Sequence, residues 1–264
     1  MKRKFGWKPS LPDHRKKKYA QHPEMAVRVP FPPSVSLQAQ MSPVEDQGQL
    51  GTCVAHATCG ALEFLELAEL KAKSGGPEVF PDNQFDPISR LFVYWNACSI
   101  DGDPGQDNGT QITSAVQGIA KWGICRESLW PYDPGKESVN PPVAAYKEGA
   151  VHLVLAHLSL NNQVIDQLKQ CLVKGFPFIF GISVYDSFMS DDVAQSGLVP
   201  MPGQDEELLG GHALCCVGYD DSKNAFLVRN SWGSSWGLQG YCWIPYDYLT
   251  SQDLASDFWT LRKG

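Results

Sequence analysis

Hydrophobic residues in the first half of the chain recur at intervals of three and four residues, which is the period of an amphipathic helix. The longest such run begins at Thr52, has glutamates between its apolar positions and stops at Gly75 and Gly76. It predicts a helix with Cys53 at its N-terminal end. The same period predicts further helices over residues 88–98, 111–122 and 163–174.

Beyond Gly175 the chain becomes rich in β-branched and aromatic residues, which favour strands. Predicted strands cover residues 176–185, 212–219, 225–229 and 241–244. A helical half followed by a β half predicts an α+β fold with two lobes and a cleft between them. We assign the helical lobe to residues of about 35–150 and the β lobe to about 151–264.

The first 34 residues form a separate segment, because they are rich in proline and show no amphipathic period. Residues 1–28 carry nine basic and two acidic side chains, whereas the whole chain has a formal net charge of -7. We therefore expect a basic, extended arm over residues 1–34, attracted to an acidic body over residues 35–264. A solvated tail is the alternative.

Composition excludes several classes of protein. A chain of 264 residues that is 43% hydrophobic and 19% charged can bury a full core, so it is not a disordered chain. It contains no apolar run long enough to span a membrane. The acidic balance, with a pI of about 5.3, argues against a nucleic-acid-binding protein. We expect neither a membrane nor a nucleic acid as partner.

The start of the chain does not resemble a signal peptide. Phe5, Gly6 and Pro9 follow the first basic residues, where a signal peptide needs an apolar run. We therefore expect a cytoplasmic location by default, or a secreted one if a signal peptide has been removed.

The eight cysteines are too few for a disulfide scaffold, and their spacing assigns no disulfide. Cys53, His56 and Cys59 lie at helical spacing but provide only three ligands, so we predict no metal site. We interpret His56 as a buried, hydrogen-bonded histidine, and His152 and His157 as exposed histidines on a strand.

Four residues have the properties that a catalytic thiol requires. Cys53 lies at a helix N-terminus, where the peptide dipoles favour a thiolate. His212 follows a pair of glycines at the start of one predicted strand, and Asn230 ends the next, so that a hairpin can bring its amide to the imidazole. Gln47, in the loop before the helix, can donate a side-chain N–H to an oxyanion.

The order and context of these residues resemble the papain family of cysteine peptidases. The matching motifs are Gln47-Gly48-x-x-Gly51-x-Cys53, Gly211-His212-Ala213 and Asn230-Ser231-Trp232-Gly233, with weaker matches at Asp107-Asn108-Gly109-Thr110 and Trp130-Pro131-Tyr132. The resemblance covers residues of about 34–250. It implies a papain-like fold with a helical lobe, an antiparallel β-barrel-like lobe and the active site in the cleft between them.

The resemblance also implies a mechanism. Cys53 would be the nucleophile, His212 the general base and then acid, and Asn230 the residue that orients the imidazole. Gln47 and the backbone N–H of Cys53 would form the oxyanion hole. Peptide bonds would be cleaved through a thioester, with Cys53 and His212 resting as a thiolate and an imidazolium. A polypeptide substrate is implied, and no cofactor is required.

Five residues at matching positions are candidates for substrate binding: Gly109, Gly181, Gly210, Ala213 and Trp232. By resemblance, Trp232 would also shield the Asn230–His212 hydrogen bond from water. A pocket lined by Gly181, Gly210 and Ala213 would be wide and apolar. It would favour a bulky hydrophobic side chain at the second residue before the cleaved bond.

The chain departs from the family pattern in its nucleophile motif and in its N-terminus. It has Thr52-Cys53-Val54 where the family usually has Ser-Cys-Trp, and Leu50 replaces a usual cysteine. The arm is shorter than the family's helical pro-segment, and residues 7–15 resemble the leader of bacterial and archaeal papain-like peptidases. Our hypothesis is a zymogen in which the arm lies across the cleft and limits access. Deamidation or transamidation on the same scaffold, and binding without catalysis, are the alternative functions.

Overall fold

The computed structural model of the chain describes residues 3–10, 16–23, 27, 29–74, 85–151 and 156–262. The α-helices in these ranges are α1 (Cys53–Ser74), α2 (Arg90–Asp101), α3 (Ile112–Trp122), α4 (Val143–Gly149), α5 (Ile165–Val173), α6 (Asp191–Ser196) and α7 (Tyr246–Thr250). The strands are β1 (Ser34–Ser36), β2 (Ala156–Ser159), β3 (Phe178–Tyr185), β4 (Leu208–Asp220), β5 (Ala225–Arg229), β6 (Tyr241–Pro245) and β7 (Ala255–Arg262).

Helix α1 lies at the centre of the fold. Most of its residues from Cys53 to Phe64 are buried, and it contacts α2 and α3 on one side and β3, β4 and β7 on the other. A helix that is buried nearly all round is expected to carry apolar residues on every face, as residues 53–62 do. The predicted helix at Cys53 is confirmed. Its exposed side chains lie in the last turn described, near Leu70.

Local sequence signals fix the ends of the next two helices. Ser89 caps α2, because its hydroxyl accepts a hydrogen bond from the N–H of Phe92 at 3.2 Å. Gly102 ends α2 in the left-handed conformation. Gly123, also at positive φ, ends α3 where a side chain would collide with the carbonyl of Gly149. All four predicted helices begin within two residues of their predicted first residue.

The strands form an antiparallel sheet in the order β2-β7-β3-β4-β5-β6, with β1 paired to β4. Strand β3 pairs with β4 so that Gly181 lies opposite Ala213 and Ile182 opposite His212. The hairpin of β4 and β5 places Arg229 opposite Cys215. Helices in the N-terminal part and an antiparallel sheet in the C-terminal part confirm the predicted α+β fold.

The structure corrects one prediction on this sheet. His157 lies on β2 but is half-buried rather than exposed, because its ring packs at 5.6 Å from that of Trp259 on β7. His152, predicted to be similar, lies outside the described residues. Among the helices described, none combines the length and apolar character needed to cross a membrane.

A buried ionic network ties α1 and α2 to residues 42–45, which precede the loop that contains Gln47. Glu63 on α1 and Arg90 on α2 are almost fully buried and form an ion pair of 2.5 Å. The Glu63 carboxylate also accepts hydrogen bonds from the hydroxyl of Ser42 and the N–H of Ile88. Arg90 also pairs with Glu45 at 2.6 Å, while burial raises the pKa of Glu45 to about 7 despite this arginine.

We predict that Glu63→Gln lowers the free energy of unfolding by about 3 to 5 kcal/mol, because it leaves the buried Arg90 with half of its counter-charge. Urea unfolding followed by circular dichroism measures the change. Glu69→Gln is the matched control on the same helix, since Glu69 pairs with Lys73 in a half-exposed position. Its effect is expected to stay below about 0.5 kcal/mol, and equal effects of the two changes would contradict the prediction.

Candidate active site

Cys53 begins helix α1 and is fully buried. The preceding loop is fixed at two points. The N–H of Gly51 donates to the carboxylate of Asp107 at 2.8 Å, and the N–H of Gln47 donates to the carbonyl of Ser231 at 2.9 Å. These bonds hold the thiol at the N-terminal end of the helix dipole and against strand β4.

His212 and Asn230 are brought together by the β4–β5 hairpin. Nε2 of His212 and Oδ1 of Asn230 are 2.8 Å apart, and Oδ1 also accepts the N–H of Ser231 at 2.8 Å. Because an amide oxygen only accepts, Nε2 carries the proton and Nδ1 is the basic nitrogen of the neutral ring. The indole of Trp232 stacks on the imidazole, with ring centres 4.8 Å apart, and excludes water from this bond.

Gln47 is held with its amide pointing into the cleft. Its Oε1 accepts a hydrogen bond of 2.6 Å from the hydroxyl of Ser231, so its Nε2 must face the other way. Nε2 donates to the carbonyls of Leu50 at 2.9 Å and of Lys4, in the arm, at 3.2 Å. One group from the residues after β5, one from the loop before α1 and one from the arm therefore meet around this single side chain.

Thr52, which departs from the family pattern, has a partner of its own. Its hydroxyl lies 2.7 Å from that of Tyr132, and the Tyr132 hydroxyl also donates to the carbonyl of Gln47 at 2.8 Å. Tyr132 therefore supports both the residue before the nucleophile and the backbone of Gln47. In the sequence, Tyr132 is marked by the Trp130-Pro131-Tyr132 motif that matches the family.

The arm runs through the cleft over the nucleophile. Gly6 lies against Gly51 and Gly109 so closely that a Cβ at Gly6 would be 1.9 Å from the carbonyl oxygen of Gly51. The arm backbone forms hydrogen bonds to both walls. The N–H of Trp7 donates to Gly211 at 3.0 Å, and on the other wall Thr110 bonds to Gly6 and Lys8 at 2.7 and 3.0 Å.

Aromatic side chains of the arm fill the positions beside the catalytic residues. Phe5 lies beside Gly210, and its ring is 6.2 Å from that of His212. Trp7 is buried over Gly181 and Gly211, where a Cβ would be 1.9 and 2.5 Å from its atoms. The absence of side chains on these two strand glycines therefore creates the space that the indole occupies.

Basic residues of the arm pair with acidic residues at the rim of the cleft. Arg3 pairs with Asp46, Lys4 with Asp107 at 2.5 Å and Lys8 with Asp103 at 3.5 Å. Partial burial raises the pKa of Asp46, but the hydrogen bond from Arg3 lowers it, and the pKa of this carboxyl lies below its ordinary value. Arg3 also donates to the carbonyl of Trp232 at 3.1 Å. Asp107 belongs to a matched motif, whereas no sequence motif pointed to Asp46 or Asp103 as partners of the arm. The opposite charges of arm and body indicated such pairs only in general.

The structure places all five candidate substrate residues at the cleft. Gly181 and Gly210 contact arm rings, and Gly109 contacts the arm backbone. Trp232 covers His212, and a backbone hydrogen bond from Ala213 reaches the sulfur of Cys53. Sequence reasoning missed Gly211, which shares the indole contact with Gly181 and precedes His212 in the matched motif.

The protonation states differ from those that the family resemblance implies. Burial raises the pKa of the Cys53 thiol to about 11, although backbone hydrogen bonds from Ala213 and Gly6 lower it. Burial lowers the pKa of His212 to about 4, although the bond to Asn230 raises it. With the arm in the cleft, a neutral thiol and a neutral imidazole are therefore favoured over the expected ion pair, because neither charge can be solvated.

His56 does not take part in this pair. Its Nδ1 lies 3.0 Å from the carbonyl of Thr52, one turn earlier in the chain, and its ring meets that of Tyr132 edge-on at 5.0 Å. Burial and the charge of Arg90 lower the pKa of His56 to about 3. It is a buried, hydrogen-bonded histidine, as predicted.

Comparisons with known proteins agree with this geometry. The family described as papain family cysteine protease matches residues 96–257. An uncharacterized peptidase C1-like protein of Acanthamoeba polyphaga mimivirus is 39% identical over 236 residues, which are 87% of this chain and 72% of that protein. Cathepsin K of Mus musculus is 28% identical over 223 residues, or 83% of this chain and 60% of its own length.

Among solved structures, xylellain, a cysteine protease from Xylella fastidiosa, matches 100% of this chain and 98% of its own with a TM-score of 0.85 and 34% identity. Digestive procathepsin L 3 of Tenebrio molitor larval midgut matches 91% of this chain and 74% of its own with a TM-score of 0.66 and 23% identity, which shows the fold alone.

We predict that Cys53 in the full chain reacts slowly with iodoacetamide from about pH 5 to pH 9, because its thiol is buried and uncharged throughout that range. Trp7→Ala is expected to raise the rate at pH 7 at least tenfold by weakening the arm's hold on the cleft. The rate is followed by peptide mass spectrometry. Lys18→Ala, at an exposed position of the arm, should leave the rate unchanged, and fast alkylation of the unmodified chain would contradict the prediction.

Proposed function

The chain belongs to the papain family of cysteine proteases, and we propose that four residues perform its hydrolysis of internal peptide bonds: Cys53, His212, Asn230 and Gln47. The observation that carries this proposal is the hydrogen bond of 2.8 Å between His212 and Asn230. It leaves Nδ1 of His212 as the basic nitrogen, and the next residue, Ala213, reaches the Cys53 sulfur through its backbone.

In the proposed reaction, Nδ1 of His212 takes the proton of the Cys53 thiol, and the sulfur attacks the carbonyl carbon of the substrate. The resulting oxyanion accepts hydrogen bonds from Nε2 of Gln47 and the backbone N–H of Cys53. His212 then donates its proton to the leaving amine, which leaves a thioester. Water, deprotonated by His212, attacks the thioester carbonyl, and the reprotonated Cys53 thiol leaves as the carboxylic acid product departs.

Asn230 keeps the imidazole in the tautomer that this sequence of proton transfers needs. Its side-chain oxygen can accept a hydrogen bond only from a nitrogen that carries a proton. Nε2 is therefore protonated, and the ring presents the basic Nδ1 to the thiol. The similarity to xylellain, a cysteine protease, supports hydrolysis over the two alternatives, which are transfer of the acyl group to an amine and binding without catalysis. All four residues of the hydrolytic mechanism are present and together support cleavage.

We further propose that residues 1–34 act as an inhibitory pro-segment on the peptidase domain, residues 35–264, with lobes divided near residue 150. The carbonyl of Lys4 accepts the Gln47 N–H that an oxyanion would need, and Gly6 covers the thiol. A substrate would require both positions at once. The boundary lies close to β1, since Pro32 already accepts a hydrogen bond of 2.7 Å from the Tyr219 hydroxyl.

The pocket that Trp7 occupies supports a preference for large aromatic side chains in substrates. The indole lies in the space over Gly181 and Gly211, beside the backbone groups that a bound peptide would use. A pocket that buries an indole in the arm is large enough for the same group in a substrate. We propose that this pocket binds the second residue before the cleaved bond.

We predict that Gln47→Ala, measured in the full chain with Trp7→Ala to open the cleft, lowers kcat about 10²-fold to 10³-fold with little change in KM, because its N–H stabilises charge that develops only in the transition state. Cys53→Ala is expected to abolish turnover of a peptide substrate. Gln49→Ala, in the same loop, is the control for folding and should retain activity. Full activity of the Cys53→Ala chain would disprove the proposed function.

We predict that Gly181→Ala has opposite effects on two classes of substrate. The new Cβ would be 1.9 Å from the indole of Trp7, so it should displace the arm and also shrink the pocket. Turnover of peptides with a small residue at the second position before the cut should rise, while turnover of peptides with tryptophan there should fall. Gly203→Ala, which meets only the flexible Glu206 side chain, is the control. Equal changes for both peptides would contradict a shared pocket.

A further inference from the structure

A small polar cavity lies behind the catalytic pair, between helix α1 and the residues that follow strand β5. His56 and Asn230 both line it, together with the charged side chains of Glu45, Arg90 and Arg229. Its volume is about 10 Å³, roughly the space that one buried water molecule needs. Buried water is stable where several polar groups converge in this way.

His56 presents a hydrogen-bond acceptor to this cavity. Its Nδ1 lies 3.0 Å from the carbonyl of Thr52, so Nδ1 carries the ring proton and Nε2 carries a lone pair. Nε2 is buried and has no hydrogen-bond partner among the described residues. Burial, together with the charges of Arg90 and Arg229 that line the same cavity, lowers the pKa of His56 to about 3, so that Nε2 remains an acceptor at neutral pH.

Asn230 presents donors to the same cavity. Its Oδ1 is fully used, since it accepts from His212 and from the N–H of Ser231. Its Nδ2 is buried, carries two protons and has no partner among the described residues. A buried donor and a buried acceptor, both without a partner among the described residues and both carried by residues that line one cavity the size of a water molecule, are complementary.

We propose that one buried water molecule bridges Asn230 and His56, accepting a hydrogen bond from Nδ2 of Asn230 and donating one to Nε2 of His56. His56 is then a positioning residue for the catalytic hydrogen bond. The bridge holds the amine end of the Asn230 amide, while the N–H of Ser231 holds its oxygen. The amide cannot rotate, and its oxygen stays on the imidazole of His212.

This inference rests on the proposed role of Asn230 and extends it by one residue. In the sequence, His56 is a histidine one turn after the nucleophile with no catalytic task. The cavity gives His56 a role in positioning Asn230, because this role needs a hydrogen-bond acceptor. A phenylalanine at this position would fill a similar volume and keep the edge contact with Tyr132 but would offer no acceptor.

The first test is structural and needs no activity. In the full chain with ¹⁵N-labelled side chains, we expect cross-relaxation between a long-lived water and the Asn230 side-chain amide in NMR spectra. The signal should persist in His56→Gln, whose amide oxygen can take the place of Nε2, and disappear in His56→Phe. Absence of the signal from the unmodified chain, or its persistence in His56→Phe, would overturn the bridge.

The second test is a double-mutant cycle on kcat/KM, measured in the full chain with Trp7→Ala to open the cleft. His56→Phe should lower kcat/KM roughly threefold to tenfold through kcat, and His56→Gln should restore most of it. In an Asn230→Ala background, His56→Phe should have no further effect. His157→Phe, a half-buried histidine outside the site, should leave the rate unchanged.

The outcomes separate the two proposals. If Asn230→Ala lowers kcat but His56→Phe does not, or if His56→Phe lowers it equally in both backgrounds, the positioning role is wrong and the proposed function stands. If Asn230→Ala has no effect, both are wrong. Thermal melting of each variant shows whether a lost rate reflects a lost fold.

Discussion

The active site depends on one short backbone pairing, in which residues 45–47 run beside residues 231–233. The N–H of Gln47 donates to Ser231, the N–H of Gly233 donates to Glu45, and Asp46 pairs with Trp232 between them. This pairing joins the loop that precedes the nucleophile to the loop that carries the asparagine. A shift of either of these two extended segments by one residue would turn Gln47 or Trp232 away from the cleft, since alternate side chains of an extended segment point to opposite faces.

The arm is held by burial more than by charge. Two of its ion pairs leave Lys4 and Lys8 nearly half exposed, and such pairs contribute about 0 to 1 kcal/mol each. A buried tryptophan removes about 150 to 250 Å² from water, which corresponds to about 4 to 6 kcal/mol. The charges therefore guide the arm to the acidic rim, while Trp7 and the backbone bonds to Gly211 and Thr110 hold it there.

The sequence predicted those features that have local causes. Cys53 at the start of a helix followed from the apolar period, and the hairpin that joins His212 to Asn230 followed from two strand patterns and a turn. Strand β7 was not predicted, because it is defined by pairing with β2 and β3 and is interrupted at Asp257, which has positive φ. The neutral state of the catalytic pair also escaped prediction, since the pKa of Cys53 is raised above all by burial, which depends on the tertiary structure.

The same burial couples the fold to pH. In the folded chain the pKa of His212 is about 4, below its ordinary value of 6.5, and that of Cys53 is about 11, above its ordinary value of 9.0. The histidine of an unfolded chain therefore binds a proton first as the pH falls below 6.5, and the buried one does not follow until about pH 4. Between these values the folded state loses stability by at most about 1.4 kcal/mol per pH unit. The contribution of this buried, uncharged histidine to stability is thus fully present near neutral pH and is lost toward acid, because burial disfavours the charge that the unfolded chain can solvate.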